Sequence, residues 1–261
     1  MIQFSTLISM AVAALLGFAV PVALACFLVR KYHIRWQTIL IGAGTFIVFA
    51  LLLEPILHQI VLKGPYGAQL MGNIRYYALY GGLAAGVFEE TGRFLSMKFL
   101  MRREPSSALP GVAYGIGHGG VEMLLIFGIT MISNLVLSVM INAGQADLLT
   151  AKVPEEQLAQ VQAQFAALEG MGAGSIALGF WERISALALQ LGLSMMVWTA
   201  VRRSGRWLWL FPAAILLHAL VDGITVVLSK SVGMVSVELI LCALAVAIGT
   251  MGWLLGRKLD E

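Results

Sequence analysis

Ionisable residues at helical spacing are the feature of this sequence most able to do chemistry, because they lie within otherwise apolar segments. Three pairs are each four residues apart: Glu89 with Arg93, His118 with Glu122, and His218 with Asp222. Residues four apart share one face of a helix. The same spacing places the two zinc-binding histidines of an HExxH motif side by side. The pairs therefore predict acid–base chemistry or metal binding within an apolar helical protein.

The elements that must carry these groups are membrane-spanning helices. Charged residues make up 12% of the 261 residues and apolar residues 59%, whereas a soluble domain is about 25% charged. The long apolar runs predict an all-α, polytopic transmembrane helical bundle with about seven spans. The expected spans are 5–29, 37–62, 76–100, 111–141, 173–201, 207–229 and 234–256. We expect one membrane-embedded domain over residues 1–261, with an extramembrane loop at 142–172.

Distances along the predicted helices place the three motifs at similar depth. At a rise of 1.5 Å per residue, Glu90 lies about 12 Å from Lys98, and His118 lies about 10 Å into its span. His218 lies about 18 Å past Arg206 by the same rise. All three then lie between the midplane and the same membrane surface. We expect them to meet in one cavity.

A charged group in a spanning helix is costly, about 2.5–3.5 kcal/mol for one Asp, Lys or Arg at the centre on insertion scales. Several further groups of this kind are present. Glu54 and His58, again four residues apart, are expected near the outer end of the second span, where an interfacial pair is the simplest interpretation. Glu182 lies toward the outer half of its span and could belong to the site, whereas Glu238 has no assigned function.

Basic residues in the expected loops predict the orientation. Eleven of the seventeen Lys and Arg residues fall on one side of the spans: Arg30, Lys31, Arg35, Lys98, Arg102, Arg103, Arg202, Arg203, Arg206, Arg257 and Lys258. Four fall on the other side: Lys63, Arg75, Lys152 and Lys230. The positive-inside rule puts the basic loops in the cytoplasm. We expect the N-terminus outside, the C-terminus in the cytoplasm, and no binding of nucleic acid.

The three motifs, taken in order, resemble a known group of proteases. "EETGR", a histidine in the next span and "HALVD" in a later one are similar to the motifs of the CAAX-protease and bacteriocin-processing group. The YhfC family is the most similar branch, and PrsW-type proteases are relatives. The resemblance covers roughly residues 85–225. EExxR is shorter than the usual EExxxR, Asp222 stands where many members have Asn, and Glu122 is an additional carboxylate.

The resemblance implies an intramembrane endopeptidase with the catalytic residues Glu89, Glu90, Arg93, His118, His218 and Asp222. One of the two glutamates would activate a water, and the other would pair with Arg93, because adjacent carboxylates in a low dielectric do not both ionise cheaply. We favour Glu90 as the base and Glu89 as the partner of Arg93, with the reverse pairing left open. The histidines would orient the water or the oxyanion, with Asp222 fixing one imidazole tautomer.

Two mechanisms remain open at this point. The residues His118, Glu122, His218 and Asp222 could supply the three protein ligands of a catalytic zinc. The same region could instead work without a metal, as a glutamate protease.

A proton-coupled transporter or channel is the alternative function, because Glu, His and Asp also form proton relays in membranes. Internal repeats are typical of many transporters, and none is evident. By resemblance we expect a multi-pass protein of a bacterial plasma membrane, acting on membrane-embedded or membrane-associated peptides in the bilayer.

Overall fold

Helices make up all the regular structure that the computed structural model describes, which covers residues 1–151 and 153–261. Lys152, one of the four basic residues expected on the outer side, lies outside the described residues. The helices are α1 (Phe4–Tyr32), α2 (Trp36–Phe46), α3 (Glu54–Leu62), α4 (Gly67–Gly72), α5 (Ile74–Phe99), α6 (Ala108–Glu122), α7 (Ile129–Asn142), α8 (Ala146–Thr150), α9 (Glu155–Glu169), α10 (Ala173–Arg203), α11 (Leu210–Leu228) and α12 (Met234–Arg257). The all-α prediction is confirmed.

Short irregular helical segments connect some of these helices. A π-helical segment, Ile47–Leu53, joins α2 to α3, and a second one, Met123–Gly128, joins α6 to α7. A 3₁₀ segment, Gly205–Trp209, leads into α11. π-helical turns occur frequently at functional sites, and the first of them lies directly before Glu54.

Six described segments are long and apolar enough to cross a membrane: Phe4–Tyr32, Trp36–Leu62, Ala108–Asn142, Ala173–Arg203, Gly205–Leu228 and Met234–Arg257. They correspond to six of the predicted spans. The remaining predicted span is α5, which has a sufficient length of 26 residues. It differs from the six because Glu89, Glu90 and Arg93 interrupt its apolar sequence. About seven spans therefore remains consistent with the structure.

The predicted amphipathic helix between spans is also present, as α9. It begins after Pro154 and ends at Glu169, before Gly170. Leu168, on its apolar face, is buried. Two acidic residues in its first turn, Glu155 and Glu156, suit the positive end of the helix dipole.

The chain divides into two packed units. Unit 1 comprises Met1–Val20 and Met123–Arg183, and unit 2 comprises Pro21–Glu122 and Ile184–Glu261. The expectation of one domain over the whole chain stays a prediction. The core of unit 1 is formed by Ile2, Met10, Ala13, Ala14, Phe127, Met131, Leu168 and Ile176.

The core of unit 2 is larger. Its main cluster comprises Met97, Met101, Tyr114, Leu189, Leu193, Met196, Val197, Trp198, Ala214, Val221, Leu241, Ala245 and Ile248. These residues come from α5, α6, α10, α11 and α12 and the turn after α5. All the clustered ionisable residues described below lie in unit 2.

Glycines set the closest helix pairings in unit 2. The most extensive contacts join α5 to α11 and α2 to α6. A Cβ atom on Gly86 of α5 would lie 2.6 Å from the carbonyl oxygen of Ile215 in α11. Gly117 of α6 likewise lies directly against the backbone of Ile39 in α2. Small residues allow such close approach between membrane helices. Gly86 brings α11 against α5, and Gly117 brings α6 against α2, which itself contacts α5.

Substitution of Gly86 tests this constraint. We expect Gly86→Ala to lower the free energy of unfolding by about 1–3 kcal/mol, because the new methyl group overpacks against the α11 backbone. Gly81→Ala is the matched control, since no atom of a neighbouring element lies within 4 Å of that position. The control should be neutral or stabilising by up to about 1 kcal/mol, because Ala favours helix more than Gly. Thermal unfolding in detergent measures both, and equal shifts would contradict the proposed role of Gly86.

Candidate active site

Five of the six catalytic residues predicted from the sequence meet in one buried cluster. Glu89, Glu90 and Arg93 project from α5, His118 from α6 and His218 from α11, and all five are buried. They come from three helices, so the cluster exists only when α5, α6 and α11 are packed together. The three motifs are thus brought to one place, as their depths predicted.

Glu90 is held between a guanidinium and an imidazole. Its Oε1 atom lies 3.1 Å from Nη1 of Arg93, in an ion pair of residues three apart on α5. The same oxygen lies 2.8 Å from Nδ1 of His218. Neither the Glu90 nor the Arg93 side chain has any solvent exposure. Glu90 is therefore a clamped carboxylate in the interior of the protein.

Glu89 has a different set of partners. Its Oε2 atom lies 2.9 Å from Nε2 of His118 and accepts a hydrogen bond from Nε2 of Gln190 at 3.1 Å. Its side chain is 9% exposed. The two neighbouring glutamates thus occupy different environments, with one imidazole on each.

The pairing of Arg93 differs from the one favoured on sequence. The i,i+4 spacing favours Glu89 as its partner, whereas the structure pairs Arg93 with Glu90 at i,i+3. Both spacings lie on one helix face, so the neighbours decide between them. His118 and Gln190 supply donors to Glu89, which leaves the guanidinium to Glu90.

Gln190 of α10 connects the two halves of the cluster and was not identified from the sequence. Its Oε1 accepts from Nη2 of Arg93, and its Nε2 donates to Glu89 and, at 2.8 Å, to Oε2 of Glu122. The amide is 3% exposed. Its signal in the sequence is a single amide within the apolar run "ALALQLGLSMM". Amide side chains hydrogen-bond between helices in membranes.

Aromatic residues hold the His118 ring in place. Phe46 meets it edge-on with ring centroids 5.2 Å apart, and Tyr114 stacks against it at 6.0 Å. The Tyr114 hydroxyl is in turn 3.0 Å from Oγ of Ser96 on α5. The imidazole is therefore fixed on two sides while Nε2 faces Glu89.

The remaining predicted residues lie at the margins of the cluster or outside it. Asp222 Oδ2 is 3.6 Å from Nε2 of His218, and its side chain is 37% exposed. Glu122 reaches the cluster through Gln190. Glu182 forms an ion pair with Arg183 in unit 1.

The ligand set suggested by the sequence does not form a metal site in this arrangement. His118 Nε2 and His218 Nδ1 both contact glutamates, and Glu122 contacts Gln190. In the part of the chain that the structure describes, no three His, Cys, Asp or Glu side chains are disposed to hold a metal ion. Two buried atoms there have no hydrogen-bond partner, namely His118 Nδ1 and Glu90 Oε2. Both are atoms that could bind a metal. A catalytic zinc takes three protein ligands, so the side chains as arranged do not fit one.

Removal of the Gln190 amide tests whether it maintains the cluster. We expect Gln190→Leu to lower the free energy of unfolding by about 2–4 kcal/mol, because hydrogen bonds to charged partners are lost in a buried site. Thr199→Val, at another fully buried position of α10, is the control. The Thr199 hydroxyl bonds only the Met195 carbonyl of its own helix, so its loss should change stability by less than about 1 kcal/mol. Similar shifts in thermal unfolding for the two variants would contradict the role of Gln190.

Comparison with known proteins connects this geometry to a family. Residues 16–244 match the family model described as YhfC intramembrane metalloprotease. The chain is 38% identical over 225 residues to the uncharacterized membrane protein YhfC of Bacillus subtilis (strain 168), and the match covers 84% of each chain. No solved structure matches. The relation to the wider CAAX-protease and PrsW group stays a prediction. The matched residues include every member of the buried cluster, and the chain belongs to the YhfC intramembrane metalloprotease family.

Proposed function

We propose that this protein is an intramembrane endopeptidase that hydrolyses peptide bonds of membrane-associated substrates. The observation that carries the proposal is a buried pair of glutamates, each with its own imidazole, in which only one glutamate is clamped by a guanidinium. Pairs of titratable groups in contrasting environments are typical of acid–base catalysis. The family's description as an intramembrane metalloprotease supports the same class of reaction.

Glu89 is the better candidate for the general base. Glu90 is fully buried and bound by Arg93 and His218, so a water and a substrate have no free approach to its Oε1. The Glu89 side chain retains some exposure and contacts His118. The sequence favours Glu90 as the base, and the geometry supports Glu89 instead.

The proposed reaction uses groups of this chain alone. Glu89 takes a proton from water while the hydroxide oxygen bonds to the peptide carbonyl carbon. The tetrahedral intermediate collapses with cleavage of the carbon–nitrogen bond, and Glu89 returns the proton to the leaving amine. His118 orients Glu89, and His218, with Asp222 beside its Nε2, stabilises the oxyanion. Arg93 and Glu90 position His218 and are not expected to touch the substrate.

The substrate class follows from the surroundings of the cluster. Helices α5 and α11, which carry Glu89 and His218, expose large apolar side chains that include Leu83, Leu216 and Leu220. A peptide that approaches from the bilayer meets an apolar surface before it reaches the carboxylates. We therefore infer substrates that are embedded in the membrane or associated with it. The distribution of basic residues supports a C-terminus in the cytoplasm, and the resemblance supports a plasma-membrane enzyme.

Zinc is the metal that the sequence pattern and the family's description suggest. A metal ion bound through His118 Nε2 or His218 Nδ1 would have to displace the hydrogen bond of that imidazole to Glu89 or Glu90, respectively. The proposed hydrolysis has no step on a metal, because the side chains of the described residues as arranged form no ligand set.

Cleavage assays in liposomes test the proposed function. The probe is a set of single-span model peptides that carry a fluorophore and a quencher on either side of the membrane segment. We expect Glu89→Gln to lower kcat by about 10²–10⁴-fold, because a general base contributes this much, while thermal unfolding shows a folded protein. His118→Ala should be similarly inactive.

Glu238→Gln is the matched control for this assay. Glu238 is a buried glutamate of α12 outside the cluster, and its substitution should leave cleavage unchanged. Equal activity of Glu89→Gln and Glu238→Gln would contradict the assignment. Proton-driven solute movement by a wild-type protein that cleaves no peptide would favour a transporter.

Elemental analysis of purified protein tests the metal ligands separately. The ligand set suggested by the sequence predicts near one zinc per chain, lost in both His118→Ala and His218→Ala. We expect Glu122→Gln to leave the metal content at its wild-type value, because Glu122 contacts Gln190 and a glutamine can still accept that hydrogen bond. Loss of metal in Glu122→Gln would overturn this expectation and make Glu122 a ligand.

A further inference from the structure

A second chain of polar groups lies next to the cluster and is not used by the proposed reaction. Nε2 of His58 is 3.1 Å from Oε1 of Glu54, and Nδ1 of His58 is 2.8 Å from the hydroxyl of Tyr80. One neutral tautomer satisfies both contacts, because Nε2–H can donate to Glu54 while Nδ1 accepts from the Tyr80 hydroxyl. The three side chains therefore form a continuous hydrogen-bonded path.

The path runs from a buried group to a partly exposed one. The Glu54 side chain is 12% exposed, whereas the His58 side chain is 32% exposed. Glu54 begins α3 and His58 lies one turn further along that helix, toward the loop that contains Lys63. The structure contains the i,i+4 pair expected from the sequence, and its position at the membrane interface stays a prediction.

The π-helical segment before Glu54 determines where this carboxylate points. Ile47–Leu53 ends at the residue before Glu54, and Phe49 within it packs against Gly92 of α5, one residue from Arg93. A π-helical turn shifts the direction of all following side chains relative to a continuous α-helix. A regular α-helix is sufficient to cross the membrane, so a membrane span alone does not account for the π-helical segment.

Glu54 lies near enough to the cluster for the charges of Glu89, His218 and Asp222 to influence it. The polar groups form two series. One runs from Glu90 through His218 to Asp222, and the other runs from Glu54 through His58 to Tyr80.

We propose that Glu54, His58 and Tyr80 form a proton relay between the buried glutamates and water at the end of the membrane where α3 terminates. The inference rests on the proposed peptidase function, to which it adds the route by which the site exchanges protons. The charged groups near Glu54 are Glu89 of α5 and His218 and Asp222 of α11, and Tyr77 lies near Tyr80 with no hydrogen-bond contact to His58 or Glu54 among the residues that the structure describes.

The proton balance of hydrolysis explains why a relay is needed. Water supplies a hydroxyl group to the carbonyl carbon and one proton to the amine. The new carboxylic acid then loses its own proton to Glu89 and leaves as a carboxylate. When the amine leaves the site neutral and takes its second proton from water outside, one proton remains on the base and must reach water before the next cycle. In an apolar interior, a chain of hydrogen-bonded groups carries it.

Along the relay, the transfer conserves protons at every group. Glu54 receives the proton from the cluster while the imidazole is in its other neutral tautomer, in which Nδ1–H donates to Tyr80 and Nε2 accepts. Glu54 then passes its proton to Nε2, and Nδ1 releases one to the Tyr80 hydroxyl, which gives its own proton to water, or directly to water. The imidazole then returns to its starting tautomer by rotation or by the reverse exchange. No oxidant, reductant or further reactant is involved.

The test compares His58→Gln and Tyr80→Phe with Tyr77→Phe in the liposome assay. We expect His58→Gln to lower kcat by about tenfold with KM changed by less than about twofold, because proton transfer is slowed and binding is not. Added imidazole should restore kcat. Tyr80→Phe should lower kcat less, since water can replace the hydroxyl. Tyr77→Phe removes an exposed hydroxyl three residues away and should have no effect.

A second measurement does not depend on cleavage. After a rapid pH change, infrared absorption reports the protonation of buried carboxyl groups. We expect the rate of this protonation to be lower in His58→Gln than in wild type. Unchanged kcat and unchanged protonation rate in His58→Gln would overturn the relay. A loss of kcat that imidazole does not restore and that accompanies lower thermal stability would overturn it too, in favour of a structural role.

Failure of the relay and failure of the peptidase proposal give different results. If the wild-type protein cleaves no peptide but His58→Gln slows protonation, the path exists and the peptidase proposal is wrong. If Glu89→Gln abolishes cleavage and His58→Gln has wild-type kcat and protonation rate, the peptidase proposal holds and the relay is wrong.

Discussion

Burial of two adjacent carboxylates and a guanidinium in an apolar helix is the constraint on which the rest of this structure depends. Fully charged, Glu89, Glu90 and Arg93 would carry a net charge of −1 without solvent to screen it. A buried charge is tolerated only when it is paired and hydrogen-bonded. Helix α5 cannot supply enough donors itself, so they come from α6, α10 and α11 as His118, Gln190 and His218.

This requirement explains the close helix packing of unit 2. Imidazole and amide side chains are short, so they reach α5 only if its neighbours lie against it. Gly86 removes the side chain that would hold α11 away from α5, and Gly117 does the same between α6 and α2, which contacts α5. The glycine contacts thus support the helix packing that the polar cluster requires.

Much of this could be predicted from the sequence, and what could not has an identifiable physical cause. Apolar length and i,i+4 spacing depend on one helix at a time, and they predicted the spans, the amphipathic α9 and the meeting of three motifs. The partner of Arg93 depends on which neighbour engages Glu89, and spacing within α5 does not contain that information. Gln190 carries no charge, so the pattern of ionisable groups does not indicate it. The π-helical segment before Glu54 is likewise not indicated, because a regular helical period assumes continuous α-helix.

The asymmetry between the two glutamates connects the packing to the chemistry. If both had the same neighbours, they would share one proton and neither would have a defined role. Arg93 and His218 both bind Oε1 of Glu90, which is fully buried, so in this proposal Glu90 holds charge in place. Glu89, with one imidazole, one amide and some exposure, keeps an oxygen that a water can approach. A base in such a position can work repeatedly only if its proton reaches water, and the proposed relay through Glu54, His58 and Tyr80 supplies such a route.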